Sequence, residues 1–240
     1  MSTSIIQPMS SSVSRDEHHF SHRSPWIRAA ILGGCDGVTT VGSLILALSG
    51  STRHIILLSG VSALVAGAFS MAVGELVSVY SQRDSEEADL QREMAEHAKG
   101  PAAQRAELEE LQQIYVERGL EQELAGEVAI QLTAKDAVRA HARDELHIDI
   151  DELSSPWQAS AISAISFAGG AAVPLLCSIF IHGYLTRALV VSATSIVTLA
   201  MLGTLGSYLG GAPMWKGCVR VVLGGTVALA ATYGVGRALE

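Results

Sequence analysis

Five long apolar stretches alternate with polar segments along the 240 residues of this chain. A helix needs roughly 20 mostly apolar residues to cross a hydrocarbon core of about 30 Å, and each stretch is long enough. The predicted spans cover residues 26–48, 54–80, 157–181, 188–209 and 213–236. The pattern therefore predicts an all-α membrane protein with five transmembrane helices.

A polar segment, residues 81–155, separates the second predicted span from the third, and its pattern is helical rather than strand-like. Gly100 and Gly119 divide it into several helices. Thr133, with Asp136 three residues later, resembles a capping box that opens the last of these helices. No breaker lies between the second span and Gly100, so the helix of that span should continue into the polar segment. We call residues 81–155 the insert.

The chain thus divides into four predicted regions. No apolar core precedes a small-residue cleavage site near the N-terminus, so the first span should act as its own insertion signal. A histidine cluster in the polar tail could capture metal or be incidental. The regions are a polar tail at 1–24, spans one and two at 25–80, the insert at 81–155 and spans three to five at 156–240.

Charge is distributed unevenly along the chain, whose net charge is −8. The insert carries 19 acidic and 8 basic residues, a net charge of −11, and the rest of the chain carries +3. An acidic insert excludes nucleic acid as a partner, because binding to nucleic acid needs a positively charged surface. Its negative charge attracts cations instead. Six basic residues near the span ends lie on the side of the insert and three on the other. This bias predicts a cytosolic N-terminus and insert.

The sequence carries no signature of an enzyme: it has neither a Ser/His/Asp constellation nor a nucleotide-binding motif. Its three cysteines show no CxxC spacing, which argues against a disulfide framework or a structural zinc site. Glycines four residues apart, at Gly33 and Gly37 and at Gly206 and Gly210, allow close helix contact in lipid. That contact could lie within one chain or between two copies.

Two carboxylates fall within the predicted spans, Asp36 and Glu75. A carboxylate at membrane depth costs roughly 2.5–3.5 kcal/mol on insertion scales, and such residues usually serve an ion path. The alternative is a pairing with arginine, although few cations are expected at that depth. Met71 lies four residues before Glu75 on the same helix face. A thioether beside a carboxylate suits Fe²⁺ better than Mg²⁺ or Ca²⁺.

The insert contains three further pairs of potential ligands that share helix faces. Carboxylate pairs and a His-Glu pair on adjacent helices are typical of iron sites in helical bundles. The alternative is an acidic face that is only solvated. The pairs are Glu93 and Glu96, Glu107 and Glu110, and His141 and Glu145.

Several short motifs make the sequence similar to the vacuolar iron transporter family, in its prokaryotic branch. The similarity covers about residues 24–240. The motifs in the spans are Gly33-Gly34-Cys35-Asp36-Gly37, Ser70-Met71-Ala72-Val73-Gly74-Glu75, Ser78-Val79-Tyr80-Ser81-Gln82-Arg83-Asp84 and Phe167-x-Gly169-Gly170-x-x-x-Pro174. Those in the insert are Ile114-Tyr115, Arg118-Gly119-Leu120 and Asp144-Glu145-Leu146.

The resemblance implies a homodimer with five spans and a cytosolic metal-binding helical domain between spans two and three. It implies export of Fe²⁺ from the cytosol in exchange for protons, with the metal as transported ion and no prosthetic group. Asp36 and Met71 would then be ligands on the translocation path. Glu93, Glu96, Glu107, Glu110 and Glu145 would match the acidic ligands of the cytosolic domain.

The sequence also departs from the family pattern. Ala29 and Ala63 occupy places where carboxylates are expected, and Glu75 stands where glycine is expected. His141 and Ala142 replace an expected pair of methionines. His and Glu also suit Mn²⁺ or Zn²⁺, so two alternatives stay open: a Mn²⁺ or broad divalent exporter, and a membrane-anchored metal buffer or sensor. The predicted location is a prokaryotic inner membrane.

Overall fold

The computed structural model describes residues 25–148, 150 and 155–239, and these residues form seven helices and no strand. The predicted polar tail lies outside the described residues. The helices are α1 (Pro25–Ala47), α2 (Arg53–His97), α3 (Pro101–Glu117), α4 (Gln122–Asp144), α5 (Pro156–Ile179), α6 (Tyr184–Leu209) and α7 (Met214–Leu239). The prediction of an all-α fold is confirmed.

Five of the seven helices, all except α3 and α4, are long and apolar enough to cross a membrane, which confirms the predicted spans. Local sequence explains where two of them begin. Ser155 accepts a hydrogen bond from the backbone N–H of Gln158 at 3.5 Å, and Pro156 occupies the first turn of α5. Thr52 caps α2 in the same way, through the backbone N–H of Ile55.

The first and third spans, α1 and α5, are in very close contact because glycine lines the contact. A Cβ added to Gly37 would lie 2.1 Å from the carbonyl oxygen of Phe167, and one added to Gly33 would lie 2.6 Å from that of Ser163. Phe167 is itself fully buried. The first glycine pair therefore serves packing within one chain.

We expect Gly37→Ala to destabilise the protein because the new methyl group would meet backbone atoms that cannot move aside. Overpacking of this kind costs about 1–3 kcal/mol or more. Gly74→Ala is the matched control, since a Cβ there meets nothing within 4 Å. Thermal unfolding in detergent should show a lowered Tm for Gly37→Ala alone. Equal Tm values for both variants would contradict this packing.

The second span continues without interruption into the insert, as its lack of breakers predicts. Helix α2 contains 45 residues and is about 68 Å long at 1.5 Å per residue, more than twice the thickness of a hydrocarbon core. One rigid helix therefore carries both the span residue Met71 and the insert residue Glu93.

Helix α4 is bent back on itself at Asp136, which has non-helical backbone angles (φ −165°, ψ 98°). Its first residue, Gln122, accepts a hydrogen bond from Gln112 of α3, and its last, Asp144, is bound by Arg118 just beyond α3. If α4 were straight, its two ends would be about 33 Å apart. Their partners Gln112 and Arg118 are only about 9 Å apart along the axis of α3. The two halves of α4 must therefore fold back over α3.

The prediction that Thr133 caps the last helical segment is wrong. Asp136 is the cap, because its Oδ1 accepts a hydrogen bond from the backbone N–H of Arg139 at 3.0 Å. The Thr133 hydroxyl is buried and has no hydrogen-bond partner. A break near this position was predicted correctly, and the last helical segment starts after Asp136, three residues later than expected.

Candidate metal centre

Four potential ligands from three helices converge in the insert. Helix α2 contributes Glu93, α3 contributes Glu107, and the last segment of α4 contributes His141 and Glu145 at its end. One ligand atom from each residue can be chosen so that all four lie within 4.8 Å of one another. We call these four residues the cluster.

His141 lies at the centre of the cluster. Its Nδ1 is 3.0 Å from Glu145 Oε2, 3.4 Å from Glu93 Oε1 and 3.7 Å from Glu107 Oε2. Ligands bound at about 2.1 Å to one ion lie roughly 3 to 3.5 Å from one another, so the observed spacing is close to that of a metal site. A single N–H can donate to only one of these carboxylates well, whereas a divalent cation can bind all of them.

The cluster is largely removed from solvent. The His141 side chain is fully buried, and those of Glu93 and Glu107 are 9% and 14% exposed. Glu93 Oε1 and His141 Nε2 are buried without a hydrogen-bond partner. Buried polar atoms without a hydrogen-bond partner are costly. The arrangement is therefore suited to a cation that supplies the missing charge.

The carboxylates of the cluster also change one another's acidity. Burial, with a further contribution from the carboxylates of Glu107 and Glu145, raises the pKa of Glu93 to about 7 against the opposing effect of His141. Burial and the carboxylates of Glu145 and Glu107 likewise raise the pKa of the neighbouring Glu110. A carboxyl group with a raised pKa still carries a proton near neutral pH, and an arriving cation lowers the pKa and displaces that proton.

Two of the six predicted insert ligands lie outside the cluster. Glu96 is three residues from Glu93, but its side chain is 48% exposed and forms an ion pair with Lys99. Glu110 is near enough for the charges of Glu145 and Glu107 to raise its pKa beyond the effect of burial, yet it does not belong to the group of four. The structure thus brings together one member of each glutamate pair and both members of the His-Glu pair.

A second group of side chains fixes the end of α4 beside the cluster. Tyr115 Oη donates to Asp144 Oδ2 at 2.6 Å, and Arg118 donates to Asp144 Oδ1 and to the Asp144 backbone oxygen. Burial alone would raise the pKa of Asp144, but the hydrogen bonds from Tyr115 and Arg118 outweigh it and hold this pKa below its ordinary value. Burial and the bond to Asp144 raise the pKa of Tyr115 to about 12. Sequence reasoning did not single out this group, although its residues belong to the insert motifs.

The membrane-spanning residues Asp36 and Met71 face one cavity of about 390 Å³ between α1, α2, α6 and α7. Thr40 donates a hydrogen bond to Asp36 Oδ1 at 3.1 Å. Arg220 of α7 lines the same cavity and was not singled out from the sequence. Cys35 also lines it, and its thiol is not in a disulfide.

Glu75 has a neighbour that the sequence did not reveal. Arg28 of α1 comes within 3.9 Å of its carboxylate, so the expectation that cations are scarce at this depth is wrong at this position. The Glu75 side chain is 11% exposed, whereas that of Arg28 is 71% exposed. Glu75 is not among the residues that line the cavity of Asp36 and Met71.

Comparison with known proteins gives the context for this architecture. The sequence matches the model of the VIT family over residues 27–237, nearly the whole chain. This chain belongs to the VIT family. The predicted family resemblance is confirmed, while its prokaryotic branch stays a prediction.

Relatives in the VIT family are similar over most of their length. A vacuolar iron transporter of Acanthamoeba castellanii (strain ATCC 30010 / Neff) is 40% identical over 211 residues, covering 88% of this chain and 77% of the relative. Vacuolar iron transporter homolog 1 of Oryza sativa subsp. japonica is 37% identical, covering 89% and 73%. Vacuolar iron transporter homolog 2 of Arabidopsis thaliana is 34% identical, covering 90% and 85%.

Membership of the VIT family settles two of the broad predictions. VIT family proteins are transporters, which confirms that the chain is not an enzyme. The match and the five apolar helices together confirm a multi-pass membrane protein.

Proposed function

We propose that this protein transports Fe²⁺, and also Mn²⁺, out of the cytosol in exchange for protons. The observation that carries the proposal is the cluster of Glu93, Glu107, His141 and Glu145, whose buried ligand atoms converge as they would around one cation. The names of the relatives, which include the words vacuolar iron transporter, support iron as the main substrate.

In this proposal the insert captures metal and the spans carry it across. Helix α2 supports the connection, since it carries Glu93 of the cluster and Met71 of the cavity without interruption. Asp36 and Met71 would bind the ion in the membrane through one hard and one soft donor. Glu75 would act at the entrance, where Arg28 partly neutralises it. Glu96 and Glu110 would guide cations towards the cluster rather than bind them.

The donor set also bears on the choice of metal. Three carboxylates and one imidazole suit Fe²⁺, Mn²⁺ and Zn²⁺, whereas Mg²⁺ prefers oxygen ligands and keeps much of its water. Uptake of Fe²⁺, Mn²⁺, Zn²⁺ and Mg²⁺ into liposomes containing the protein tests the proposal. We expect uptake of Fe²⁺ and Mn²⁺ and none of Mg²⁺. Metal binding without any uptake would instead favour the alternative of an anchored buffer or sensor.

We further propose that the protein lies in the inner membrane of a prokaryotic cell, with its span regions at 25–80 and 156–240. The N-terminal tail (1–24) and the insert (81–155) would both lie in the cytosol. The bias of basic residues supports this orientation. Arg187, one of three basic residues counted on the far side, is buried and donates to the backbone oxygens of Ser49 and Ile181. Arg187 thus serves to join two loops. Leaving it out of the count strengthens the bias of basic residues towards the side of the insert.

Orientation can be tested by labelling cysteines in whole cells, after replacement of the three native ones. A cysteine at the exposed Glu109 should react with an impermeant maleimide only after permeabilisation, because the insert faces the cytosol. A cysteine at the exposed Gly50, in the loop between α1 and α2, should react without permeabilisation. The reverse pattern would mean that the protein moves metal into the cytosol.

We also propose that two copies form a homodimer around the open face of α1. This face carries Arg28, Leu32, Asp36 and Thr40, which are exposed or half-buried in the single chain. Polar side chains facing lipid are costly, and a second copy would cover them. A monomeric mass by light scattering of the detergent-purified protein would contradict this assembly.

Metal binding by the cluster should depend on pH around neutrality. With the pKa of Glu93 at about 7, this carboxylate is mostly ionised at pH 8 and mostly protonated at pH 6. Protons compete with metal for it, so affinity for Mn²⁺ should fall by about tenfold from pH 8 to pH 6. The groups facing Glu93 are Glu107 of α3 and His141 and Glu145 of α4. Calorimetry should show this decrease and a weaker one for Glu93→Gln; identical affinity at both pH values would contradict it.

A further inference from the structure

Helix α4 presents two of the four cluster residues on a very short helical segment. Beyond the break at Asp136, only eight residues, 137–144, continue the helix before it ends. An isolated helix of this length is not stable in water, so its position depends on contacts with the rest of the fold. His141 lies within this segment and Glu145 follows it directly.

Asp144 forms three hydrogen bonds that hold that segment to α3 and to the residue after it. Tyr115 donates to one carboxylate oxygen and Arg118 to the other, and Arg118 also donates to the backbone oxygen of Asp144. This backbone oxygen is one of those left without a partner where a helix ends, and a cation is favoured there. Arg118 thus binds both the side chain and the terminus of the segment.

Tyr115 and Arg118 are themselves well placed to hold the segment relative to Glu107. Tyr115 is 6% exposed and packs with Leu111 in the core of the insert, and the Arg118 guanidinium lies 5.7 Å from the centre of its ring. Glu107, Leu111 and Tyr115 follow at intervals of four residues on one face of α3. The face that contributes a ligand therefore also contributes the anchor.

We propose that Tyr115, Arg118 and Asp144 are positioning residues, which orient His141 and Glu145 towards Glu93 and Glu107 for metal capture. This inference rests on the proposed role of the cluster. Asp144 adjoins Glu145 in sequence but is not a ligand, because both of its carboxylate oxygens are already bound. Outer groups that orient metal ligands usually change metal affinity by about 10–100-fold when they are removed.

The test measures Mn²⁺ affinity and the visible spectrum of bound Co²⁺ on the purified full-length protein. Tyr115→Phe removes one donor and should lower Mn²⁺ affinity by about tenfold, and Arg118→Ala should lower it by about 100-fold. Arg118→Lys keeps the charge but cannot bind both the carboxylate and the backbone oxygen, so its affinity should lie between those of Arg118→Ala and wild type. All three variants should shift the Co²⁺ bands, which report ligand geometry.

Gln112→Ala is the matched control, because Gln112 joins α3 to the other end of α4 through the backbone oxygen of Gln122. It should lower the Tm of the insert without changing the affinity or the Co²⁺ bands. If Tyr115→Phe and Arg118→Lys bind Mn²⁺ as wild type does, or lose no more affinity than Gln112→Ala, the positioning role is wrong. If His141→Ala binds Mn²⁺ as wild type does, the cluster itself is wrong, and the proposed capture site fails with it.

Discussion

Asp36→Asn should reduce transport of Fe²⁺ into liposomes to the level of protein-free vesicles while the insert keeps its metal affinity. Asp36 is the carboxylate that lines the cavity between the spans, which Met71 also lines. Asparagine preserves the shape of the side chain and lowers the cost of placing it in the membrane, so folding and insertion should survive. The loss of charge removes the hard ligand of the proposed path.

Two further variants make this result specific. Cys35→Ala changes the same cavity without altering its charge and should keep most of the flux. Glu75→Gln should have a smaller effect than Asp36→Asn, because Glu75 does not line this cavity and Arg28 offsets part of its charge. Transport by Asp36→Asn at the wild-type rate would show that the cavity is not the path.

Replacing both Glu93 and Glu107 by Gln should abolish tight metal binding by the insert. The change removes two of the three carboxylates around His141, so affinity for Fe²⁺ or Mn²⁺ should fall by more than the 10–100-fold that is typical of losing an outer partner. Transport should then be lost at low metal concentration and largely recovered at high concentration. The expected kinetic signature is a raised KM with a nearly unchanged maximal rate.

Glu96→Gln provides the matched control for the cluster. Glu96 lies one helical turn from Glu93, yet it is exposed and paired with Lys99, so its loss should change neither KM nor affinity by more than about twofold. If the double variant transports like Glu96→Gln at low metal, the insert is an acidic surface that is only solvated.

The spans could be predicted from sequence because hydropathy over about 20 residues is a local property. The continuation of α2 beyond the membrane followed in the same way, since no glycine or proline lies between the end of the second span and Gly100. The start of α5 was also local, because a cap at Ser155 and a proline in the first turn determine it. These features depend on neighbours in the chain, which the sequence shows directly.

The choice between Glu93 and Glu96 could not be made from the sequence. Both lie on one side of α2, and their spacing favours each equally. The two residues differ because the folded-back α4 covers Glu93 and leaves Glu96 in solvent. The sharp break at Asp136 depends in turn on contacts of both halves of α4 with α3, and these are distant in sequence.

The pairing of Arg28 with Glu75 was missed for a similar reason. The two residues are 47 positions apart, and only the packing of α1 beside α2 brings their charges together. The cavity behind Asp36 likewise combines residues from four helices, so Arg220 gave no signal of its own. A residue whose role depends on packing between helices cannot be found from periodicity.

The most direct test of outward Fe²⁺ transport coupled to protons uses liposomes that contain the protein and enclose a pH-sensitive dye. Fe²⁺ is added under anaerobic conditions to vesicles in which the insert faces the outside. Fe²⁺ should enter while the interior becomes more alkaline, and an acidic interior at the start should accelerate entry. Fe²⁺ entry without any change of internal pH would contradict proton exchange, and no entry at all would contradict transport.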